Sequence, residues 1–226
     1  MLKWGIGVAA ATLATAFAGG AAQAQQSYVA AGIGWTRIDS ANTTIENGVS
    51  AGNPIVMSFD LDDDWRGSAA YGLDYGSLRF EGELSMTKNE VNTWTSFKPA
   101  NLTRQADGKV GLISLMANAY WDFDMGPGIT PFVGVGGGAM RANVDFAGPR
   151  PTAPNAAAVT IVDNDKINIG WQMMAGFSTP IAGNMLLTAQ ARYFDAGTFD
   201  MNDTLGHATD ISVKGMSWDA GVRWTF

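Results

Sequence analysis

The sequence has no cysteine and a single histidine, His207. The first absence removes disulfide staples, thiolate metal centres and cysteine nucleophiles. The second removes any metal site built from several imidazoles. Charge is scarce as well. Asp, Glu, Lys and Arg make up 15% of the 226 residues, against about 25% in an ordinary soluble domain. Acids outnumber bases, 21 to 14, which argues against nucleic acid as a partner, because a phosphate-binding face needs clustered cations. Long apolar runs are missing beyond the N-terminus. A membrane helix needs roughly 20 apolar residues in succession. Residues 129–140 come nearest, and Pro131 and several glycines break that stretch. A mean hydropathy of +0.01 is likewise too polar for a bundle of such helices.

The one continuous apolar run is N-terminal. Lys3 supplies a positive start, residues 4–17 are apolar or small, and Ala22-Gln23-Ala24 is followed by the polar Gln25-Gln26-Ser27. This is the pattern of a secretory signal peptide over residues 1–24, cut after Ala24, with residues 25–226 as the exported domain. An uncleaved anchor is disfavoured because the run is short and rich in Ala and Gly.

What the sequence does have is alternation. In residues 213–226, Met216, Trp218, Ala220, Val222, Trp224 and Phe226 share one parity, and Gly215, Ser217, Asp219, Gly221, Arg223 and Thr225 the other. Side chains on a strand alternate between faces, so one face is apolar and aromatic and the other polar. A soluble sandwich would turn the polar face to water. A membrane barrel turns the apolar face to lipid and the polar face to its lumen. Seven earlier segments repeat the pattern: residues 29–37, 65–75, 78–89, 110–122, 129–144, 167–178 and 185–195. Arg66 and Asp74 fall on the inward parity of the second, Asn118, Tyr120 and Asp122 on that of the fourth, and Gln172 on that of the sixth. The stretches between segments alternate long and short. Gly76-Ser77 and Gly126-Pro127-Gly128 mark two of the short turns. Short turns on the periplasmic side and longer loops outside are the habit of bacterial barrels. Trp35, Trp65, Tyr75, Trp121, Tyr193 and Trp224 cluster at segment ends, as an interfacial aromatic girdle requires. The expected fold is therefore all-β: an eight-stranded antiparallel transmembrane up-and-down β-barrel with short periplasmic turns and four long surface loops.

These residues also carry a family likeness. The chain resembles small outer-membrane β-barrel proteins of the opacity-protein and OmpA-barrel type, a porin-like family. The likeness rests on the Ala22-Gln23-Ala24 site, the opening Tyr28-Val29-Ala30-Ala31-Gly32-Ile33-Gly34-Trp35, the run from Thr130 through Gly138, and the closing Gly221-Val222-Arg223-Trp224-Thr225-Phe226. The OmpW type, with a narrow hydrophobic lateral path, is a near neighbour. The resemblance implies export to the outer membrane of a Gram-negative cell and folding by the barrel assembly machinery. It also implies recognition of the last strand through Trp224 and the aromatic Phe226.

The inward charges are the candidate site: Arg79, Glu81 and Glu83 on the third strand, Arg192 on the seventh, Asp219 and Arg223 on the eighth. Eight strands leave an interior just wide enough for side chains. Buried charges there must pair, because an isolated one is costly to desolvate. The expected arrangement is an ionic plug in which Arg223 or Arg192 meets Glu81 or Glu83. The alternative is a charged constriction in a narrow passive channel for small solutes. A membrane-rim lipid-modifying enzyme is a remote third reading, because His207 has no Ser at motif spacing and an isolated loop histidine is no triad. The acidic residues 60–64 and 163–165 lack the spacing of a calcium loop, and residues 134–138 lack the Lys-Ser/Thr of a phosphate loop. No catalytic residue, cofactor or metal site is expected. The expected partners are outer-membrane lipid, the assembly machinery and a ligand of the surface loops.

Overall fold

The computed structural model describes residues 25–39, 41–50, 53–61, 64–98, 102–148, 159–202 and 208–226. The expected signal peptide and His207 lie outside these residues. Ten strands are assigned: β1 (Gln26–Asp39), β2 (Ala41–Ser50), β3 (Asn53–Leu61), β4 (Asp64–Asp74), β5 (Leu78–Lys98), β6 (Leu102–Asp122), β7 (Thr130–Gly148), β8 (Val159–Ala182), β9 (Met185–Asn202) and β10 (Ala208–Thr225). Eight of them form a closed antiparallel ring in the order β1-β4-β5-β6-β7-β8-β9-β10, with β10 returning to β1. The closing seam is fully paired, from Tyr28↔Thr225 to Asp39↔Lys214. Closure gives every wall strand two neighbours, which a chain in hydrocarbon requires because lipid cannot satisfy a free N–H or C=O.

The strands are longer than the sequence pattern indicates. Residues 91–98 and 102–107, expected as a loop, continue β5 and β6 as a paired hairpin. The first long connection is itself the β2–β3 hairpin. It carries the wall on above β1 and β4, with β2 pairing β10 through Thr43, Thr44 and Ile45 and β3 pairing β5. The reason is that extension beyond the membrane needs only backbone pairing. In a stretch such as Val91-Asn92-Thr93-Trp94-Thr95-Ser96 the sequence then shows no clear apolar alternation.

The apolar parity faces outward along the lower part of the ring. The exposed set covers residues 78–86 on β5, 113–121 on β6, 167–177 on β8 and 216–224 on β10, including Leu84, Leu115, Ile169, Met173 and Trp218. This is the roughly 9–11 residues that a tilted strand needs to cross a bilayer. The belt is bounded by aromatics. Toward the hairpin end Trp35 sits opposite both Trp65 and Trp218, so three tryptophans cross β4, β1 and β10 in a row. Trp171 and Tyr193 continue that level, their rings 5.6 Å apart. Toward the turn end stand Tyr75, Trp121 and Trp224, with Phe226 against Trp224.

Two backbone features shape the wall. Inward-facing Gly134, Gly136 and Gly138 of β7 let the neighbouring β6 lie close. A Cβ at Gly134 would strike the Tyr120 ring, at Gly136 the Asn118 amide, and at Gly138 the carbonyl oxygen of Leu115. On β9, Gly197 takes φ +75° in a bulge where Ala196 and Gly197 oppose Val213 alone. The pairing of β8 with β9 begins at Trp171↔Asp195 and runs toward the turn end. Nearer the hairpin end, β8 pairs with β7 and β9 with β10. There, Asn168 Nδ2 donates to the Thr198 carbonyl at 3.0 Å, a side-chain clasp across the split.

Gly138→Val should lose most of the boiling-sensitive, fast-migrating species on detergent gels, because its clash is with backbone. Gly82→Val, which meets nothing within 4 Å, should retain it.

Candidate functional site

All six charged residues expected in the interior point into it, and they do not share one network. The central knot joins four charges. Arg192 of β9 donates to Glu83 of β5 from Nη1 and Nη2 at 3.0 and 2.8 Å. These two strands are four places apart in a ring of eight, so the pair spans the lumen. Arg66 of β4 donates to the same Glu83 at 2.7 Å and to Asp219 of β10 at 3.3 Å. Arg192 Nε also reaches Asp219 at 3.2 Å. Two guanidiniums and two carboxylates thus alternate in a closed square, each cation touching both anions. Gln190 donates to Asp219 at 3.2 Å. Arg192 donates to Gln172 at 2.5 Å, and Gln172 donates to Asn118 at 2.7 Å. Arg192 is 2% exposed, so this charge exists in the lumen only because its partners surround it.

The second cluster lies nearer the turns. Arg79 forms a fork with Asp122, Nε at 2.6 Å and Nη2 at 2.9 Å. Its guanidinium lies 4.5 Å from the Tyr120 ring centre and 5.1 Å from that of Phe132, a cation–π contact with two rings that meet edge to face, in a desolvated place. Glu81 lies beside this cluster and is held by hydroxyls and an amide. Tyr28 and Tyr120 donate to it at 3.1 Å each, and Asn118 at 3.3 Å. Arg223 meets neither Glu81 nor Glu83. It faces Asp74 at 3.8 Å and lies 5.2 Å from the Tyr28 ring centre. The sequence expectation that named either arginine with either glutamate corresponds to one contact here, Arg192 with Glu83.

Above the square the interior is mixed: Leu112, Met140, Phe194, Phe199 and Val213 are buried inward beside Thr36, Thr87, Asn89, Ser114 and Ser217. Below it a cavity of about 50 Å³ remains among Ser68, Arg79, Glu81, Gln190, Asp219 and Arg223, room for a few waters at most. Arg66, Asp74 and Asp122 join this charge set; their inward parity is legible in the sequence, their membership in the set is not. Among the described residues no group of three His, Asp or Glu side chains stands close enough to hold a metal ion.

Five of the expected girdle residues, Trp35, Trp65, Trp121, Tyr193 and Trp224, lie with Tyr75 at the two edges of the belt. The four tryptophans are exposed and the two tyrosines half-buried. Trp171 and Trp218, unassigned to the girdle from sequence, belong to its hairpin-end level. Trp224 and Phe226 stand outward at the turn end, where the Phe226 N–H donates to the Ser27 carbonyl at 2.9 Å.

Glu83→Ala should destabilise the barrel by about 3–5 kcal/mol, since it leaves Arg66 and Arg192 sharing one carboxylate. Arg223→Met should cost about 1 kcal/mol or less, because that arginine's nearest carboxylate is beyond hydrogen-bond distance. Urea titration of the protein folded in lipid vesicles measures both.

Solved structures of similar shape include several outer-membrane proteins. One is Neisserial surface protein A (NspA), 22% identical with a TM-score of 0.52, covering 88% of this chain and 97% of its own. Another is OprG of Pseudomonas aeruginosa, 13% identical with a TM-score of 0.57, covering 89% and 96%. The outer membrane protease OmpT of Escherichia coli is 7% identical with a TM-score of 0.50, covering 88% and 97%. At these identities the likeness is one of fold. No curated protein sequence matches the chain. The model of the outer membrane protein beta-barrel domain family matches residues 7–226. Closed ring, lipid-facing belt and family model agree: the chain belongs to the outer membrane protein beta-barrel family.

Proposed function

We propose that this protein is a plugged, non-conducting barrel whose work is structural or is done at the cell surface by the hairpins that rise beyond the membrane. The observation that carries this reading is the Arg192–Glu83 pair, which crosses the whole lumen and is tied laterally by Arg66 and Asp219. An ion following this path would have to displace four mutually paired charges. It would then have to pass a closely buried layer in which Leu112, Met140 and Phe194 stand among Thr87, Asn89 and Ser114. The cavity beside the square, about 50 Å³, holds a few waters at most. Catalysis has no support from the described lumen, where Glu81, Glu83, Asp122 and Asp219 each accept from an arginine, a hydroxyl or an amide. A surface role is supported by the length of the walls. β5 and β6 each run 21 residues and β8 runs 24, about twice a membrane crossing.

In planar-bilayer recording the refolded protein should show no stable unitary steps, whereas Glu83→Ala/Arg192→Ala, which removes the trans-lumen pair, should show them. Discrete conductance from the unaltered protein would instead establish the channel. Assembly is a separate expectation. Trp224 and Phe226 form the outward aromatic end of the strand that closes the ring, and the assembly machinery is its reader. Phe226→Ala should therefore slow insertion into vesicles bearing that machinery, and leave spontaneous folding in detergent near the unaltered rate.

A further inference from the structure

Every Lys and Arg whose side chain is described either points into the lumen or stands at the hairpin-end rim of the belt. The lumen set is Arg66, Arg79, Arg192 and Arg223, and the rim set is Arg37, Lys88, Lys109, Arg141, Lys166 and Lys214. The outward surface at the turn end carries none among the described residues. The rim cations are not scattered. On the β1–β10 seam, Arg37 is the next outward residue after Trp35, and Asp39 the one after that. Register sets Arg37 opposite Met216 and Asp39 opposite Lys214. On the β5–β6 seam, Lys88 is the next outward residue after Met86, and Glu90 follows. Register sets Lys88 opposite Gly111 and Glu90 opposite Lys109. The same three-charge figure therefore occurs twice, on different sides of the ring. Two cations sit as diagonal neighbours, and one acid lies directly across from the cation farther from the membrane. All six side chains are exposed.

Diagonal neighbours on adjacent strands lie about 7–8 Å apart at Cα, within reach of long side chains. One anionic group can therefore be gripped by both cations. Each figure has a net charge of +1 and begins immediately beyond the apolar belt, at the depth where lipid phosphates sit. The acid stands on the solvent side, so it repels an anion placed too far out and fixes its depth. Lys88 and Glu90 are only 3.5 Å apart in the free protein, an exposed contact of small energy that a phosphate can replace. We propose that the Arg37/Lys214 and Lys88/Lys109 pairs are two binding sites for the phosphate groups of outer-leaflet lipid. The lipid is specified by its chemistry: acyl chains against the belt at Trp35, Trp218, Met86 and Ile113, and a phosphate at the rim. This inference rests on the family's place in the outer membrane and is independent of the plugged lumen.

The test is native mass spectrometry of the full refolded chain released from mixed micelles. The probes are diphosphoryl lipid A and its enzymatically dephosphorylated form at equal concentration. The unaltered protein should retain the phosphorylated lipid preferentially. Arg37→Gln/Lys214→Gln and Lys88→Gln/Lys109→Gln should each lower that preference, by about fivefold per cation removed, and the quadruple variant should abolish it. Lys166→Gln, outside both figures, should keep it. Boiling-dependent gel migration selects folded material for each variant. Equal retention of the two lipids by the unaltered protein overturns the proposal, as does an undiminished preference in the folded quadruple variant. Loss of preference with Lys166→Gln alone would also overturn it by showing that only net charge matters.

Discussion

A carboxylate on β5 and a guanidinium on β9 reach each other across the full width of the barrel, and that contact constrains nearly everything else inside. Two unpaired charges could not be carried into this interior, since the desolvation penalty is several kcal/mol per ion. The wall strands must therefore hold a fixed register, because a slip of one residue would turn Glu83 or Arg192 toward lipid. The ring must also stay narrow. The β7 glycines permit this by removing side chains where Tyr120 and Asn118 need the space. The aromatic floor beneath Arg79 and the hydroxyl cradle of Glu81 fill what the square leaves. The layer above it, Leu112, Met140 and Phe194 among Thr87, Asn89 and Ser217, stands on the same inward parity.

The period of two made most of this fold legible in the sequence. It assigned inward and outward faces on eight segments, and those faces stand in the structure. Long and short connections gave the up-and-down order. What parity does not contain is angle around the ring. Arg192 and Glu83 are 109 positions apart in sequence, and only closure of the ring makes them opposite neighbours. Arg66, Asp74 and Asp122 showed the correct parity. Parity alone does not join them to the charged set, because their roles depend on which strand lies beside which. Glu81 illustrates a second limit. As a sequence letter it asks for a cation, yet two tyrosine hydroxyls and an amide serve it. Strand ends beyond the belt were illegible for a simpler reason: outside lipid the outward face is no longer required to be apolar, and the alternation fades while the backbone pairing continues.

The outer and inner faces of the same wall obey opposite rules, and the cations show it. In the lumen each arginine is hidden, and most are held by more than one partner. At the rim each lysine or arginine is exposed, two residues or so past the last lipid-facing side chain. Depth along a strand, more than local sequence, decides which kind of place a cation occupies.

The split between β8 and β9 has a mechanical meaning. Along every other seam, bending the rim outward means breaking successive backbone hydrogen bonds. Above Trp171 and Asp195 the two strands share no ladder among the described residues, and Asn168 clasps Thr198 there. The upper cylinder is thus a split ring: its compliance is concentrated on one line, and force applied to any surface hairpin is relieved there first, while the square of charges below keeps the lower cylinder round.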